Sequence, residues 1–426
     1  MIVELINTGT ELMLGRLLNS HQQWLCQQLS DLGYIVSRQV AVADTASDIE
    51  QAVQEALARA DVVITTGGLG PTSDDLTRDR VAQLLGKELH EDATVLAHIQ
   101  AFFTIRHRSM PERTRVQALV PEGGLVLPNP HGTAPGLALE VKPGRLRAGG
   151  SSSWLIMLPG PPRELRPMFA DSVVPLLRRV LPPPAQFVCH TLRTTGIGES
   201  LVEQRIAKPL HKLVADGLEL GYCAKPGQVD VRLAARGPRA TDLVEAGEKV
   251  VVDRLGAHIF GREGEELETV IVRLLTERKE TLALAESCTG GAIAHRLTNV
   301  PGASAILLAG LVTYSNQAKQ KLLGVRAETL AGHGAVSEPV AREMAEGARR
   351  KMESTYAVSV SGIAGPSGGT PDKPVGTVFL GLAGPFPTVS ERQLNPYDRE
   401  TFKQVTAQQA LDLLRRSVLG KAPAGL

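Results

Sequence analysis

The sequence predicts an α/β protein of about two to four domains that begins with a doubly wound, mostly parallel sheet. Its 426 residues exceed the roughly 250 to 300 that a single hydrophobic core serves. The first 85 residues alternate apolar strands with amphipathic helices in a β-α-β-α-β order, which is typical of a doubly wound sheet. A second alternation of strands and helices occupies residues 265–418, after a smaller module.

Local patterns justify each early element. Asparagine and glycine are common at the start and the end of helices, and a serine followed by a glutamate three residues later forms a capping box. The predicted elements are, in order, a strand at 2–6, a helix from Asn19 to Gly33, a strand at 34–42, a helix capped by Ser47 and Glu50, and a strand at 62–66. Ligand sites in such sheets lie at the carboxyl ends of the strands.

Three domains are predicted. Residues 1–181 form the first, with an exposed Gly- and Ser-rich loop at 143–153, and the three prolines of the segment 181–184 stiffen a linker. Residues 186–262 form a small α+β linker module that is KH-like in outline. Residues 265–418 form the third domain, and the tail from 420 is expected to fray.

Composition narrows the class of protein. The 46 basic and 45 acidic side chains nearly cancel, which argues against bulk nucleic-acid binding. The turn at 195–198 also lacks the G-x-x-G spacing of RNA-binding KH loops, so RNA contact is only a minor alternative. Four scattered cysteines indicate a reducing compartment and no zinc site. No signal-peptide pattern and no apolar run of about 20 residues occurs, so we expect a cytoplasmic protein without a membrane segment.

Residues 284–291, Leu-Ala-Glu-Ser-Cys-Thr-Gly-Gly, join an apolar strand to a helix and place Ser287 on the turn between them. The backbone N–H groups of Thr289, Gly290 and Gly291 are expected at the positive end of the helix, where an oxyanion is favoured. Lys319 follows on a short helix opened by Ser315, after an apolar strand. A lysine whose pKa is lowered by burial can accept the proton of a serine hydroxyl.

This pattern has simpler interpretations. A serine before a helix is commonly an N-cap, and a lysine on a short helix is commonly a solvated charge. Cys288 is a rival nucleophile, although no histidine is evidently placed to activate it and buried cysteines are commonly inert.

Five segments of the third domain closely resemble the nicotinamide mononucleotide deamidase family. They are residues 285–291, 313–319, 334–337, 361–366 and 373–377. The resemblance implies an amidohydrolase that converts nicotinamide mononucleotide to nicotinate mononucleotide and ammonia without a cofactor. It implies Ser287 as nucleophile and Lys319 as general base.

Further residues are expected around that pair. Tyr314 and Asn316 are placed to orient the base or the ligand, and the loop containing Gly362 and Gly365, together with Arg399, is placed to hold the nucleotide phosphate. The alternatives are a core aromatic for Tyr314 and a helix-surface charge for Arg399.

A second candidate site lies in the first domain, in the loop at 66–75. Glycines at a strand-to-helix junction suit a backbone cradle for phosphate, although the spacing matches neither a Walker loop nor a Rossmann loop. The candidate binding residues are Gly67, Gly68, Gly70, Thr72, Asn129, Gly132 and Thr133. The carboxylates of Glu11, Asp44, Asp74 and Asp75 would supply oxygen ligands for Mg²⁺ or a similar ion. Alternatively, Asp74 and Asp75 only favour a helix N-terminus, and the other two are a strand end and a solvated side chain.

Segments 9–12, 67–72, 74–77, 129–136 and 158–162 resemble the molybdopterin-binding fold as it occurs in the competence-damage inducible (CinA) family. That resemblance implies an ADP-ribose pyrophosphatase that requires a divalent metal, Mg²⁺ or Co²⁺, and releases AMP and ribose 5-phosphate. The competing interpretation is a non-catalytic molybdopterin- or nucleotide-binding module that regulates the deamidase. A DNA-uptake role is suggested only by the family's name. Apolar strand edges lead us to expect a homodimer.

Overall fold

The computed structural model describes residues 1–144, 146–147, 151–182 and 185–420. The loop predicted at 143–153, the linker predicted at 181–184 and the tail after 420 lie partly or wholly outside these residues. The chain divides into two compact units, Met1–Phe187 and the part from Val188 onward.

The first unit is built on a six-stranded sheet. Its strands, with those of a separate two-stranded ribbon (β4 and β5), are β1 (Val3–Thr8), β2 (Val36–Val42), β3 (Val62–Thr66), β4 (Leu89–Glu91), β5 (Leu119–Pro121), β6 (Leu125–Leu127), β7 (Gly136–Val141) and β8 (Ser153–Leu158). The order in the large sheet is β2-β1-β3-β8-β7-β6. The first four strands are parallel to one another, β7 is antiparallel to β8, and β6 is antiparallel to β7. The prediction of a doubly wound, mostly parallel sheet is confirmed.

Helices cover both faces of this sheet. They are α1 (Thr10–Met13), α2 (Ser20–Asp31), α3 (Ala46–Leu57), α4 (Thr77–Leu85), α5 (Ala93–Ile105), α6 (Pro162–Met168) and α7 (Val174–Val180). Asn19 caps α2 as predicted, because its side chain accepts from Gln22 N at 3.2 Å. The predicted cap of α3 is wrong: Thr45 has the extended backbone that an N-cap needs and accepts from Asp48 N, whereas Ser47 is already helical.

Successive side chains of a strand point to opposite faces of the sheet, so the parallel strands contribute to two hydrophobic cores, one on each face. Leu5 and Ile64 pack on one face with side chains of α2, α6 and α7, and Ile6 and Val63 pack on the other with α3. The chain passes from β1 outward to β2 and then back across β1 to β3, so its direction of winding reverses between β1 and β3. Ligands of doubly wound sheets bind beyond the strand ends at such a point.

The second unit starts with a small α+β module. Its elements are β9 (Phe187–Thr195), α8 (Glu199–Ala215), β10 (Glu219–Lys225), β11 (Gln228–Arg236), α9 (Ala240–Leu255) and β12 (Ile259–Arg262). The sheet order is β10-β11-β9-β12, and α8 and α9 share its apolar core. The sequence pattern missed β12, a four-residue strand that pairs antiparallel with β9.

The remainder of the second unit is a five-stranded sheet between helices. Its elements are α10 (Leu267–Arg278), β13 (Leu282–Glu286), α11 (Ala292–Thr298), β14 (Leu307–Val312), α12 (Asn316–Leu323), α13 (Ala327–His333), α14 (Glu338–Met352), β15 (Tyr356–Gly362), β16 (Thr377–Ala383), β17 (Val389–Leu394) and α15 (Arg399–Val418). The order is β14-β13-β15-β16-β17, and β13, β14 and β15 are parallel. Their carboxyl ends therefore meet at one edge. Across the described parts of the chain, no helix is both long and apolar enough to cross a membrane.

Candidate active sites

The turn after β13 and the helix after β14 bring Ser287 and Lys319 together. Lys319 Nζ lies 3.0 Å from Ser287 Oγ and donates a hydrogen bond of 2.8 Å to the carbonyl oxygen of Thr313. The helix that carries Lys319 begins at the predicted residue, since Ser315 Oγ accepts from Ala318 N at 3.0 Å. Because β13 and β14 are adjacent and parallel, residues that follow their carboxyl ends meet on one edge of the sheet.

Lys319 is buried, with 1% of its surface exposed, and Ser287 is 8% exposed. Among the residues described, no carboxylate forms an ion pair with the Lys319 amine. Burial lowers the pKa of Lys319 below its usual value of 10.5. In the neutral form, the amine can accept the Ser287 proton while an N–H continues to bond Thr313 O. The two groups thus lie within the distance that proton transfer from a serine hydroxyl to an amine needs.

Cys288 does not share this arrangement. Its thiol is 6% exposed, and burial raises its pKa to about 12. The thiolate is the nucleophilic form of cysteine, and it is essentially absent at neutral pH with such a pKa. The interaction with Cys288 raises the pKa of Lys319, but the larger effect of burial still lowers it.

The turn between Ser287 and α11 is held by a buried carboxylate that the sequence analysis did not single out. Glu286, 1% exposed, accepts hydrogen bonds from the backbone N–H groups of Gly291 (2.9 Å), Ile293 (3.2 Å) and Ala294 (2.9 Å). Gly290 N donates to Ser287 O at 3.1 Å. The amides of Gly290 and Gly291, expected as oxyanion donors, are therefore already bonded.

Two neighbouring amides are the nearest candidates for an oxyanion. The N–H groups of Cys288 and Thr289 donate to no other backbone carbonyl of the described chain outside its helices and strands, whereas Ser287 N donates to Val360 O at 3.0 Å. Both N–H groups hydrogen-bond the Cys288 sulfur, a weak acceptor that an oxyanion would displace. Cys288 N and Thr289 N are adjacent to the nucleophile, so they replace the two glycine amides as the best candidates.

Ser287 and Lys319 open into a cavity of about 200 Å³. Its walls include the predicted residues Tyr314, Asn316, Gly362 and Arg399, together with Cys288, Ala335, Val336, Ser361 and Ala364. Tyr314 is 62% exposed, which rules out a core aromatic. Its hydroxyl accepts from Arg399 Nη2 at 2.9 Å, and Arg399 Nη1 donates to Gly365 O at 2.8 Å. The predicted loop, tyrosine and arginine thus form one wall of the cavity.

A second cavity of about 440 Å³ shares Arg399 with this one and is lined by Lys403, one helical turn further along α15. A Cβ atom placed on Gly290 would lie 3.9 Å from Lys403 Nζ. The Lys403 side chain therefore ends close to the turn between Ser287 and α11. Lys403 was not predicted from the sequence, although its spacing of four residues from Arg399 on a helix was a usable signal.

In the first unit, the loops after β1, β2, β3 and β8 line a cavity of about 400 Å³. It contains eight predicted residues, namely Gly67, Gly68, Gly70, Thr133, Glu11, Asp44, Asp74 and Asp75. Gly67 and Gly68 have positive φ angles of 97° and 68°. A Cβ on Gly67 would lie 2.8 Å from Thr8 O, and one on Gly68 would overlap Thr77 Oγ1. Only glycine fits this loop, whose backbone is left open toward the cavity.

The predicted residues Thr72, Asn129 and Gly132 are next to the residues that line this cavity. Thr72 donates its backbone N–H at 2.9 Å and its hydroxyl to Asp75 Oδ2. Asn129 Nδ2 donates to Ala134 O at 2.7 Å and to Glu164 Oε2 at 2.8 Å. Thr72 and Asn129 therefore hold two of the carboxylates that line the cavity.

The four predicted metal ligands share this cavity without forming a ready-made centre. Within the described ranges, no three His, Cys, Asp or Glu side chains are grouped closely enough to hold an ion. Asp44 Oδ2 already accepts from Thr10 N at 2.8 Å, and Asp75 is bonded to Thr72. Such a set fits an Mg²⁺-like ion that is held by one or two carboxylates and completed by substrate phosphate and water.

Comparison with known protein families divides the chain into three parts. Residues 4–179 match a probable molybdopterin binding domain, residues 189–261 match the KH domain of the damage-inducible protein CinA, and residues 264–418 match the CinA C-terminal domain. The fold and the matched domains thus define a multidomain α/β protein whose first unit is of the molybdopterin-binding class.

Relatives extend over the whole chain. A putative competence-damage inducible protein of Symbiobacterium thermophilum is 44% identical across 99% of both chains. A CinA-like protein of Akkermansia muciniphila is 43% identical and covers 96% of this chain and 95% of its own. The crystal structure of the competence/damage inducible protein CihA from Agrobacterium tumefaciens is 39% identical over 36% of this chain and 93% of its own, with a TM-score of 0.35. The chain belongs to the competence-damage inducible (CinA) family.

Proposed function

We propose that the carboxyl-terminal domain hydrolyses nicotinamide mononucleotide to nicotinate mononucleotide and ammonia. The observation that carries the proposal is the 3.0 Å approach of the buried Lys319 amine to Ser287 Oγ at the edge of a cavity. Amide hydrolysis by serine needs a base that is neutral before attack, and burial favours the neutral amine at Lys319.

In the proposed reaction, Ser287 Oγ attacks the carboxamide carbon as Lys319 takes the hydroxyl proton. The amides of Cys288 and Thr289 stabilise the tetrahedral oxyanion. When the C–N bond breaks, Lys319 returns the proton and ammonia leaves. Water then attacks the acyl-enzyme with Lys319 as base, which releases the carboxylic acid and restores the Ser287 hydroxyl.

The wall formed by Tyr314, Gly365 and Arg399 would hold the substrate phosphate. Arg399 presents a planar donor fork on the cavity side of α15, and its bonds to Tyr314 and Gly365 fix its orientation. Asn316, the first residue of α12, also lines the cavity and would orient the ligand.

For the first unit we propose metal-dependent hydrolysis of ADP-ribose to AMP and ribose 5-phosphate. Its support is a cavity in which a glycine-only backbone cradle and the carboxylates of Glu11, Asp44, Asp74 and Asp75 occur together. Those carboxylates would hold a divalent cation, which would neutralise charge on the diphosphate. A non-catalytic nucleotide-binding module needs the cradle but has no use for the carboxylates.

The purified full-length chain should be incubated separately with nicotinamide mononucleotide and with ADP-ribose, with and without Mg²⁺ or Co²⁺. Ammonia release from the first and metal-dependent AMP release from the second are the expected results. No ammonia would reject the deamidase. Metal-independent nucleotide binding without AMP release would favour the non-catalytic module.

The proposal extends to a homodimer that works in the cytoplasm. The edge strand β14 exposes Leu308 (43%) and Val312 (47%), and covering such apolar side chains would favour a homodimer. Sedimentation equilibrium should give twice the chain mass. Four scattered cysteines and nucleotide substrates suit the cytoplasm, which fractionation of cells that express the chain would test.

A further inference from the structure

Glu164 is a fifth carboxylate in the cavity of the first unit, and it has no role in either proposed hydrolysis. It lies in the first turn of α6, directly after β8, and is 7% exposed. β8 pairs with β3, and Gly67 N at the end of β3 donates to Leu158 O at the end of β8 at 3.0 Å. A Cβ on Gly160 would lie 3.9 Å from Gly67 Cα, so the segment that leads to Glu164 runs beside the glycine cradle.

The two oxygens of this carboxylate have different surroundings. Oε2 accepts a 2.8 Å hydrogen bond from the buried Asn129 side chain. Oε1 has only a loose ion pair of 3.6 Å with Arg163, which is 78% exposed, and accepts no hydrogen bond from the described residues. One oxygen is thus anchored and the other keeps its lone pairs for a ligand or a water molecule.

The loop that contains Gly132 leaves room for the Glu164 carboxylate. A Cβ on Gly132 would overlap the Glu164 carboxylate, so the glycine provides the space in which it lies. His98 Nε2 lies 3.1 Å from Gly132 O and holds the loop in place. The charged and titratable groups nearby include Arg163, His98 and the cavity carboxylates Glu11, Asp44, Asp74 and Asp75. His21, which hydrogen-bonds the backbone of Gly160, and Arg166 close to it also face this segment. Within the described chain, Glu164 makes no hydrogen bond with Glu11, Asp44, Asp74 or Asp75, and its partners are Asn129 and Arg163.

We propose that Glu164 is the general base that activates water for cleavage of the diphosphate, an inference that rests on the proposed ADP-ribose hydrolysis. Oε1 takes a proton from water as the water oxygen bonds to one phosphorus atom. The bond from that phosphorus to the bridging oxygen breaks, and its electron pair leaves with the other phosphate. The proton on Glu164 then passes to solvent, so that ADP-ribose and water yield AMP and ribose 5-phosphate.

The test uses the full-length chain with Glu164→Gln, which keeps the shape of the side chain but cannot accept a proton. With ADP-ribose and Mg²⁺, kcat should fall by about 100-fold or more, as for loss of a general base. KM and the affinity for AMP, measured by calorimetry, should stay within about threefold. The acidic limb of the kcat profile against pH should disappear. Glu164→Asp should retain that limb at a reduced rate.

Controls separate this proposal from the function on which it rests. Glu122→Gln, an exposed glutamate in the same unit, should match the unaltered chain, and ammonia release should be unchanged in every variant. If the unaltered chain releases no AMP, ADP-ribose hydrolysis itself is rejected. If the unaltered chain does release AMP, three results would overturn the role of Glu164 as general base without affecting the proposed hydrolysis. They are an active Glu164→Gln, a loss confined to KM or AMP affinity, and a lower kcat with the same pH profile.

Discussion

Replacing Lys319 by methionine removes the proposed base and keeps a linear side chain of similar length. Because a positioned general base contributes about 100- to 10,000-fold to rate, ammonia release should slow by that factor, equal to about 3 to 5 kcal/mol of transition-state stabilisation. Lys319→Arg should be about as inactive, since guanidinium keeps its proton at neutral pH. The nucleotide should still bind, because Arg399 and Tyr314 are unchanged.

The same variant should alter the dependence of stability on pH. Folding lowers the pKa of Lys319 below 10.5, so between the lowered pKa and 10.5 the unfolded chain binds more protons than the folded one. The free energy of unfolding therefore rises with pH in that window, by at most about 1.4 kcal/mol per unit, and is flat on either side. Lys319→Met should lack this rise. Loss of the bond to Thr313 O costs about 1 to 3 kcal/mol, which relief of the buried amine partly offsets.

The assay is ammonia release at several substrate concentrations from pH 6 to 10, with urea unfolding of the same preparations. For the unaltered chain, kcat should rise with pH through the Lys319 pKa and then level off. Lys321→Met is the matched control, an exposed lysine on the same helix, and should behave as the unaltered chain. Lys319→Met with more than a tenth of the original kcat, or an active Lys319→Arg, would refute the role of Lys319 as base.

Three further outcomes are expected. Ser287→Ala should abolish ammonia release while Cys288→Ala keeps most of it, because burial holds the thiol neutral, and the reverse pattern in the ammonia assay would transfer the role to Cys288. A chelator should stop AMP release and leave ammonia release intact in the same sample, whereas a parallel loss of both would contradict a metal requirement confined to the first unit. Gly68→Ala should lower the free energy of unfolding by about 2 to 4 kcal/mol, because alanine is strained in the left-handed region and its Cβ would overlap Thr77. Gly15 has a similar φ but open space around it, so Gly15→Ala should cost only the backbone strain, about 1 to 2 kcal/mol. Equal losses in urea unfolding would show that the overlap is relieved.

Periodicity and capping predicted much of the fold, because they depend on neighbouring residues. The strand before Ser287, the cap at Ser315 and the parallel first sheet follow from such local patterns. The short strand β12 did not, since its pairing with β9 joins segments far apart in the chain. Thr45 displaced Ser47 as a cap because both residues are good caps and only the backbone decides between them.

In the two candidate sites, too, some features follow from the local sequence and others depend on the fold. The sequence identified Ser287 and Lys319 as a pair, but the burial and the 3.0 Å approach that make Lys319 suited to be a base depend on the packing of adjacent strands. Glu286 and Glu164 were missed because a glutamate near a helix start ordinarily serves only the helix. Their hydrogen bonds to the nucleophile's turn and to Asn129, respectively, became visible only in three dimensions.

The buried Glu286 carboxylate has a consequence for turnover. The proposed hydrolysis of the carboxamide would convert a neutral substrate group into a negatively charged product group beside the start of α11. Glu286 already accepts from the amides of Gly291 and Ala294, so these amides cannot also bind the new carboxylate. The product would therefore have fewer hydrogen-bond donors at this turn than an uncapped helix start offers, which would limit inhibition by nicotinate mononucleotide as it accumulates.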